Sequence, residues 1–331
     1  MKRLVNLTAA AAFLHFAVLP AAAEPATLHH GFQAGMPHLP ALVMKHEKLL
    51  EACLADQGMG STKVEWFELT GSAQTDALLS GNLDFTSGGV TELATLWVAT
   101  HGKVKAISAE SAVPNDLITT NPKIKTLKDF GPDDRIAVPA VKVSIQAIML
   151  QMAAAKTFGP ENFAKLDTLT VSMPPPDATI ALLSGGGEVD LAFSVPPFQQ
   201  QQLEKPGITT VLNSFDVMGA SHSFTVAWTS ARFREQNPVL YKALFAAMQE
   251  ATGIVNKDKR GAAQLWITDS HSTLPLPFVE QIVGGAQVRW TTVPENTMTF
   301  ARFMVTNGML KTAPQSWRDY FFPEIYAVDG S

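Results

Sequence analysis

The sequence is poor in cysteine: Cys53 is the only one in 331 residues. No internal disulfide can form, and a cysteine-rich metal or redox motif is excluded. In Leu49-Leu50-Glu51-Ala52-Cys53-Leu54 the thiol reads as a buried apolar residue. Nucleotide and hydrolase signatures are missing too. There is no Gly-x-Ser-x-Gly elbow, no Gly-x-x-x-x-Gly-Lys loop and no Gly-x-Gly-x-x-Gly fingerprint. His46-Glu47 continues to Leu50 where a zinc helix would need a second histidine. The triple glycine Gly185-Gly186-Gly187 follows a helix and precedes a strand, the reverse of a phosphate cradle. A basic excess is also lacking. The formal net charge is −5, with no basic patch or tail, so nucleic acid is not a partner.

What is present begins with Met1-Lys2-Arg3, an apolar stretch over residues 4–19, and Pro20-Ala21-Ala22-Ala23-Glu24. A basic start, an apolar segment too short to span a bilayer and small residues at Ala21 and Ala23 form a secretory signal peptide, residues 1–23, cleaved before Glu24. No cysteine stands at the cleavage point to carry a lipid. No later apolar run can cross a membrane. The expectation is a soluble periplasmic protein with chain enough for two domains.

The remaining chain alternates strand and helix. A short strand ending in a loop is expected over 27–33, with Phe32 in the loop, and further strands at 63–69 and 83–86, the last leading into Ser87-Gly88-Gly89, with apolar residues at helical spacing over 40–55 and helices over 71–79 and 91–99. The cycle recurs with strands at 103–108, 135–138, 168–171 and 189–193 and helices at 144–157 and 177–183. Such alternation means βα units and mostly parallel sheets, an α/β fold. Ala77-Leu78-Leu79-Ser80-Gly81 and Ala181-Leu182-Leu183-Ser184-Gly185 each lead into an acidic strand entry, which suggests two similar lobes. From about residue 230 the pattern turns helical, at 238–252, 259–268, 277–284, 294–307 and 314–320, and this ending is expected to pack onto one lobe.

Four histidines, His29, His30, His38 and His46, lie near one another in sequence and raise the question of a metal. Neighbours on a strand point to opposite faces, so His29 and His30 cannot share an ion, and no carboxylate or cysteine is placed to complete a set. They read as polar residues at a lobe edge, with no metal or cofactor called for. In open α/β sheets ligands bind where strands end and helices begin, because free N–H groups and the helix dipole converge there. Those positions carry small hydroxyls and amides: Gln33 after the first strand, Ser72 and Gln74 after the second, Ser87, Gly88 and Thr91 after the third, and Ser144 after the strand at 135–138. Ser72, Thr91 and Ser144 also suit helix N-caps. Among aromatics, Phe32 is expected to face a cleft, Trp97 to lie in the core, and Phe198 and Trp228 are further candidate walls. His222 stands where the chain would return from the second lobe.

Several stretches resemble the periplasmic binding proteins of ABC importers for aliphatic sulfonates, taurine and nitrate, with their relatives for thiamine-precursor pyrimidines (NMT1/THI5-like). They are Gly31-Phe32-Gln33-Ala34-Gly35, Gly71-Ser72-Ala73-Gln74 and residues 77–85, and residues 122–130 running into Arg135-Ile136-Ala137-Val138. Residues 181–185 and 189–192 add to these. The resemblance implies a two-lobed periplasmic-binding-protein fold of type II, with two crossings near 109–114 and 212–222. Lobe one would hold residues 24–112 and 217–331, lobe two residues 113–216. It implies a monomeric importer component without enzymatic activity that delivers a small molecule to an inner-membrane permease. The ligand contacts expected are Gln33, Ser72, Gln74, Ser87, Gly88, Thr91 and Ser144, with Phe32, His38 and His222 lining the cleft. Sulfonate binders of the family carry a Lys-Gly-Ser-Ser type loop. Here Lys142-Val143-Ser144-Ile145 keeps the lysine and one serine only. An exported ligand sensor, or a pyrimidine-synthesis enzyme on the same fold, are the rival roles; the enzyme relatives carry a cysteine-rich motif absent here.

Overall fold

The computed structural model describes residues 26–33, 35–69, 72–185 and 187–331. The expected leader lies outside the described residues, as do Gly71 and Gly186. The first run of elements is β1 (Thr27–Phe32), α1 (Leu39–His46), α2 (Leu49–Asp56), β2 (Lys63–Glu68), α3 (Ser72–Ser80), β3 (Phe85–Gly89), α4 (Val90–Ala99) and β4 (Val104–Ala112). The second is β5 (Asp116–Thr119), β6 (Ile136–Val138), α5 (Ile145–Phe158), β7 (Thr170–Ser172), α6 (Pro175–Ser184), β8 (Leu191–Ser194), α7 (Phe198–Leu203) and β9 (Thr209–Asn213). The chain returns through α8 (Ser214–Met218) to β10 (Thr225–Ser230). It continues as α9 (Ala231–Gln236), α10 (Pro238–Lys257), α11 (Lys259–Asp269), α12 (Leu276–Val283), β11 (Arg289–Trp290) and α13 (Thr297–Thr306).

These strands form two sheets, ordered β11-β4-β10-β3-β1-β2 and β7-β6-β8-β5-β9. Pairing is parallel among β1, β2 and β3 and among β6, β7 and β8. Each sheet also takes one antiparallel strand fed from the other: β10 lies between β3 and β4, and β5 between β8 and β9. An antiparallel strand starts where its neighbours end. Thr225 therefore pairs with Gly89 and Ser111, and Asp116 with Ser194 and Asn213, at the carboxyl edges of the two sheets. The first crossing, residues 113–115, is so short that it spans on the order of 10 Å even when extended. The two carboxyl edges are thereby held side by side.

The core sits on both faces of each sheet. Leu28, Ile107 and Ala227 pack with α1, α2 and α10–α12 on one face of the first sheet; Val226 and Trp228 pack with Leu93, Leu96, Tyr320 and Phe321 on the other. The second sheet packs against α5 on one face and α6 on the other. The helical ending divides, contrary to the expectation of docking on one lobe. From α13, Phe300, Ala301 and Met304 join a cluster with Val90 and Ala94 of α4 and Ile148 and Met149 of α5. Phe300 and Met304 are wholly buried, each contributing roughly 1.5–3 kcal/mol as an upper figure.

Three local expectations are also corrected. The apolar stretch over 40–55 is two helices, because Lys48 adopts left-handed backbone at φ 51° and turns the chain so that α1 and α2 both reach α10. The strand expected to end at Thr86 runs on through Ser87-Gly88-Gly89, since β10 pairs with β3 through Gly89 and satisfies its backbone groups. His30 is not at an edge: it is 1 % exposed, stacked on Phe85 at 4.1 Å between centroids and tilted against Trp66 at 4.3 Å. Burial pushes its pKa down to about 3, so it is a neutral core residue. The other histidines separate, His29 to Asp84 at 3.1 Å and His46 to Asp269 at 2.9 Å. Cys53 is half-buried, its thiol 3.9 Å from Glu250.

Candidate functional site

The first sheet's carboxyl edge brings together Gln33, His38, Ser87, Gly88 and Thr91. Gly88 is the point of closest approach. A Cβ there would lie 2.5 Å from Glu92 Oε2, 2.6 Å from the Trp228 ring and 3.2 Å from Gln33 Nε2, so only glycine lets these groups converge. Glu92 stands in the first turn of α4 and accepts the N–H of the N-cap, Gly89. Burial, the dominant effect, raises its pKa, partly offset by that hydrogen bond and by His38. His38 Nδ1 lies 3.3 Å from Ser87 Oγ and 3.5 Å from Glu110 Oε2.

Glu110 reaches this position through a bulge. Thr225 pairs with Ser111 but Val226 with Ala109, which leaves Glu110 as the extra residue and re-aims it. It is 3 % exposed, and its Oε2 makes no hydrogen bond. Thr91 Oγ1 and both ends of the Asn115 amide are likewise buried and unpartnered. Asn115 lies in the first crossing. Beside it, on the second sheet's edge, Asp116 accepts from Asn213 Nδ2 at 2.8 Å, and burial pushes its pKa up to about 7.

The other expected contacts make their hydrogen bonds internally. Gln74 donates to the Leu69 carbonyl at 2.8 Å, and its Oε1 accepts from Thr86 Oγ1 at 2.7 Å. Ser144 caps α5, accepting from Ala147 N–H at 3.3 Å and donating to the Ala140 carbonyl at 2.9 Å. Phe32 ends β1, 6 % exposed, edge-on to Trp66 and beneath the Lys45 ammonium at 4.7 Å. Trp228 is fully buried, whereas Trp97 and Phe198 are half-buried. Ser72 is the first residue of α3. His222 sits in the second crossing, Nδ1 3.1 Å from the Ser223 carbonyl and Nε2 2.9 Å from Ser214 Oγ. Its Nδ1 therefore carries the proton and Nε2 accepts. Burial pushes its pKa down to about 4.

Sequence reasoning missed Glu92, Glu110, Asn115 and Asp116. An available signal was the glycine N-cap three residues before Glu92; another was an acid inside the apolar run Ala109-Glu110-Ser111-Ala112. The types Ser87, His38 and Glu110 invite comparison with a nucleophilic triad. In a triad, serine and acid approach opposite ring nitrogens. Here both approach Nδ1, and Ser87 is fully buried. The arrangement holds a histidine in place and does not relay a proton. Among the described residues, no group of three or more His, Cys, Asp or Glu side chains is arranged to hold a metal, and no helix is long and apolar enough to cross a membrane.

A family model described as the NMT1-like family matches residues 21–267, well over half of the chain. The chain belongs to the NMT1-like family. No curated protein sequence matches it. Among solved structures it resembles the periplasmic aliphatic sulphonate binding protein SsuA from Escherichia coli, at 18 % identity and a TM-score of 0.67 over 90 % of this chain and 92 % of that one. The alkanesulfonate-binding protein SsuA from Xanthomonas axonopodis pv. citri, solved with MOPS bound, matches at 19 % identity and TM-score 0.66 over 86 % and 95 %. A ligand-binding component of an ABC-type import system from Staphylococcus aureus, solved with zinc bound, matches at 15 % and 0.64 over 92 % and 99 %. The fold is thus that of the periplasmic binding proteins, as the resemblance in sequence implied.

Proposed function

We propose that the chain is the substrate-binding component of an ABC importer, taking a small organic molecule between two lobes without transforming it. The lobes are residues 24–112 with 217–331, and residues 113–216. The observation that carries this reading is the meeting of two carboxyl edges at two chain crossings, with unpartnered buried polar groups at the junction. Ligand contacts to both edges stabilise a closed form, which an inner-membrane permease then recognises. The leader over residues 1–23 delivers a monomer to the periplasm; the mass of the exported protein would reveal cleavage before Glu24. Sulfonates and taurine lead the candidate ligands by family resemblance.

The test is a thermal-shift screen of the purified protein against a metabolite library that includes sulfonates, taurine, nitrate and pyrimidines. A true ligand at a hundred times its Kd stabilises the folded state by about 2.7 kcal/mol, a rise in Tm of several degrees. Conversion of a compound into product during the same incubation would sink the reading, as would a library that yields no stabilising compound.

A further inference from the structure

We propose that the second sheet carries a binding site of its own, at the end opposite the cleft, for a small amphipathic carboxylate. α6 and the turn leading into β9 leave a groove of about 250 Å3 between them, lined by the apolar Leu182, Leu183, Pro206 and Ile208 and by Thr120 and Lys205. Its place follows from the strand register. Asp116, at the start of β5, pairs with Ser194 at the carboxyl edge, whereas Thr119, at its end, pairs with Leu191 and Thr209, where β8 and β9 begin. Thr120 is the next residue, so the groove lies on the amino edge, on the order of 13 Å along the strand from Asp116.

The floor of the groove is the core itself. Leu182, 1 % exposed, and Ile208 belong to the cluster that packs α6 on the second sheet, so the groove enters that core and does not lie flat on it. Apolar surface continues outward at its mouth. Leu183 is exposed, as are Ile180, three residues earlier on the same face of α6, and Leu203 on α7, whose Gln202 donates to Thr179 of α6 at 2.9 Å. These three are half of the exposed large apolar side chains among the described residues, and such a concentration marks a surface that takes an occupant. The polar lining is cationic and unspent. None of the lining residues is acidic; among the described residues no carboxylate pairs with the Lys205 ammonium and nothing hydrogen-bonds to Thr120 Oγ1. Both groups can donate to the oxygens of one carboxylate, while the leucines, Pro206 and Ile208 cover its apolar body. A closed apolar cavity of about 150 Å3 admits benzene, so this groove has room for one aromatic ring or a short alkyl chain with its carboxylate. A protein partner fits less well: eight residues line the groove, where a stable interface takes roughly 20–30 a side.

The experiment is an NMR titration of the purified protein with 3-phenylpropionate and hexanoate, and with 3-phenylpropanol and hexanol as their neutral counterparts. Amide shifts are expected to move at Thr120, Leu183 and Ile208. The carboxylates are expected to bind about threefold to fivefold more tightly than the alcohols, the size of an exposed charge contact. Lys205→Gln is expected to abolish that preference while leaving the alcohols unmoved, and Lys205→Arg to keep it. Leu183→Asp, at an exposed position, is expected to weaken all four compounds about tenfold by placing a charge against their apolar bodies. A carboxylate preference that survives Lys205→Gln overturns the inference, as does equal binding of acids and alcohols or no binding at millimolar concentration. Shifts confined to Gln33, Gly88 and Thr91 would put the carboxylates in the cleft, which overturns the inference and supports the importer reading. Dimerisation abolished by Leu183→Asp, without carboxylate binding, would give the groove to a protein partner and overturn it too.

Discussion

The two sheets present their carboxyl edges to one cleft but equip them differently. On the first edge Thr91 and Glu110 keep buried polar atoms without partners, and Glu92 is drawn in beside Gly88. On the second, Ser194 donates to Gln202 at 2.6 Å, Gln202 donates to Thr179 at 2.9 Å, Asp116 is held by Asn213 and Ser144 closes on α5. The first edge keeps unpartnered atoms at Thr91 and Glu110, whereas the second, Gln200 Oε1 apart, closes its hydrogen bonds within itself. On the function proposed above, the first unit supplies recognition and the second a cover whose Ser194, Gln202, Asp116 and Ser144 are already hydrogen-bonded within it.

The same division appears in the buried titratable groups, and there the largest effects are expected. His30, in the first sheet's core, has a folded pKa of about 3 against 6.5. It binds no proton in the folded state while the unfolded chain does, so its contribution is present above pH 6.5 and is lost as pH falls toward 3. The full loss is about 5 kcal/mol at most. His30→Phe should flatten the acid limb of stability in urea melts between pH 4 and 7. An unchanged acid limb would place the acid sensitivity elsewhere, with His222 the next group to test.

Asp116, on the second sheet's edge, has the opposite sign. Its folded pKa of about 7 exceeds the ordinary 3.8, so the folded state holds a proton that the unfolded chain releases. Stability from this group is greatest below pH 3.8 and declines as pH rises to 7, by about 4 kcal/mol at most. Asp116→Asn should therefore stabilise the protein at pH 8 and make no difference near pH 4. A variant less stable at pH 8 would mean that the carboxylate, not the carboxylic acid, is what the hinge requires.

These two groups also mark what the sequence could and could not convey. Alternation along His29-His30 places the two rings on opposite faces, but the inward one is decided by Trp66 and Phe85, which β2 and β3 bring alongside from distant sequence. The βα alternation and the two sheets were legible because period and glycine punctuation are local properties; the crossings came only from what the family resemblance implies. Candidate cleft positions were chosen on the same local ground, since they follow strand ends. Whether a hydroxyl or amide there is free depends on remote partners, as Gln74 on Thr86 and Leu69. The one-residue bulge that turns Glu110 inward leaves no local pattern at all.

Gly88 offers a smaller but more local break in the comparison. The Cβ of Gly88→Ala would meet Glu92, Trp228 and Gln33 at once, and overpacking of this kind costs about 1–3 kcal/mol. Because Glu92 and Gln33 can shift where Trp228 cannot, the variant should fold with a lower Tm and lose most of its ligand affinity. Intact affinity would separate the floor of the first edge from the binding site.

The smallest effect is expected at Ser144, and it bears most directly on the covering role of the second edge. Its hydroxyl accepts from Ala147 N–H and donates to the Ala140 carbonyl, so its donor is already used. Ser144→Ala should cost about 1 kcal/mol through the lost cap of α5. Ligand affinity should fall only slightly, by less than for Gly88→Ala, and Ser144→Asp, which also caps, should restore stability. If Ser144→Ala instead reduced affinity tenfold with Tm intact, the capping serine would turn outward on binding. Recognition would then be shared between the edges, and the cover would be a second half of the site.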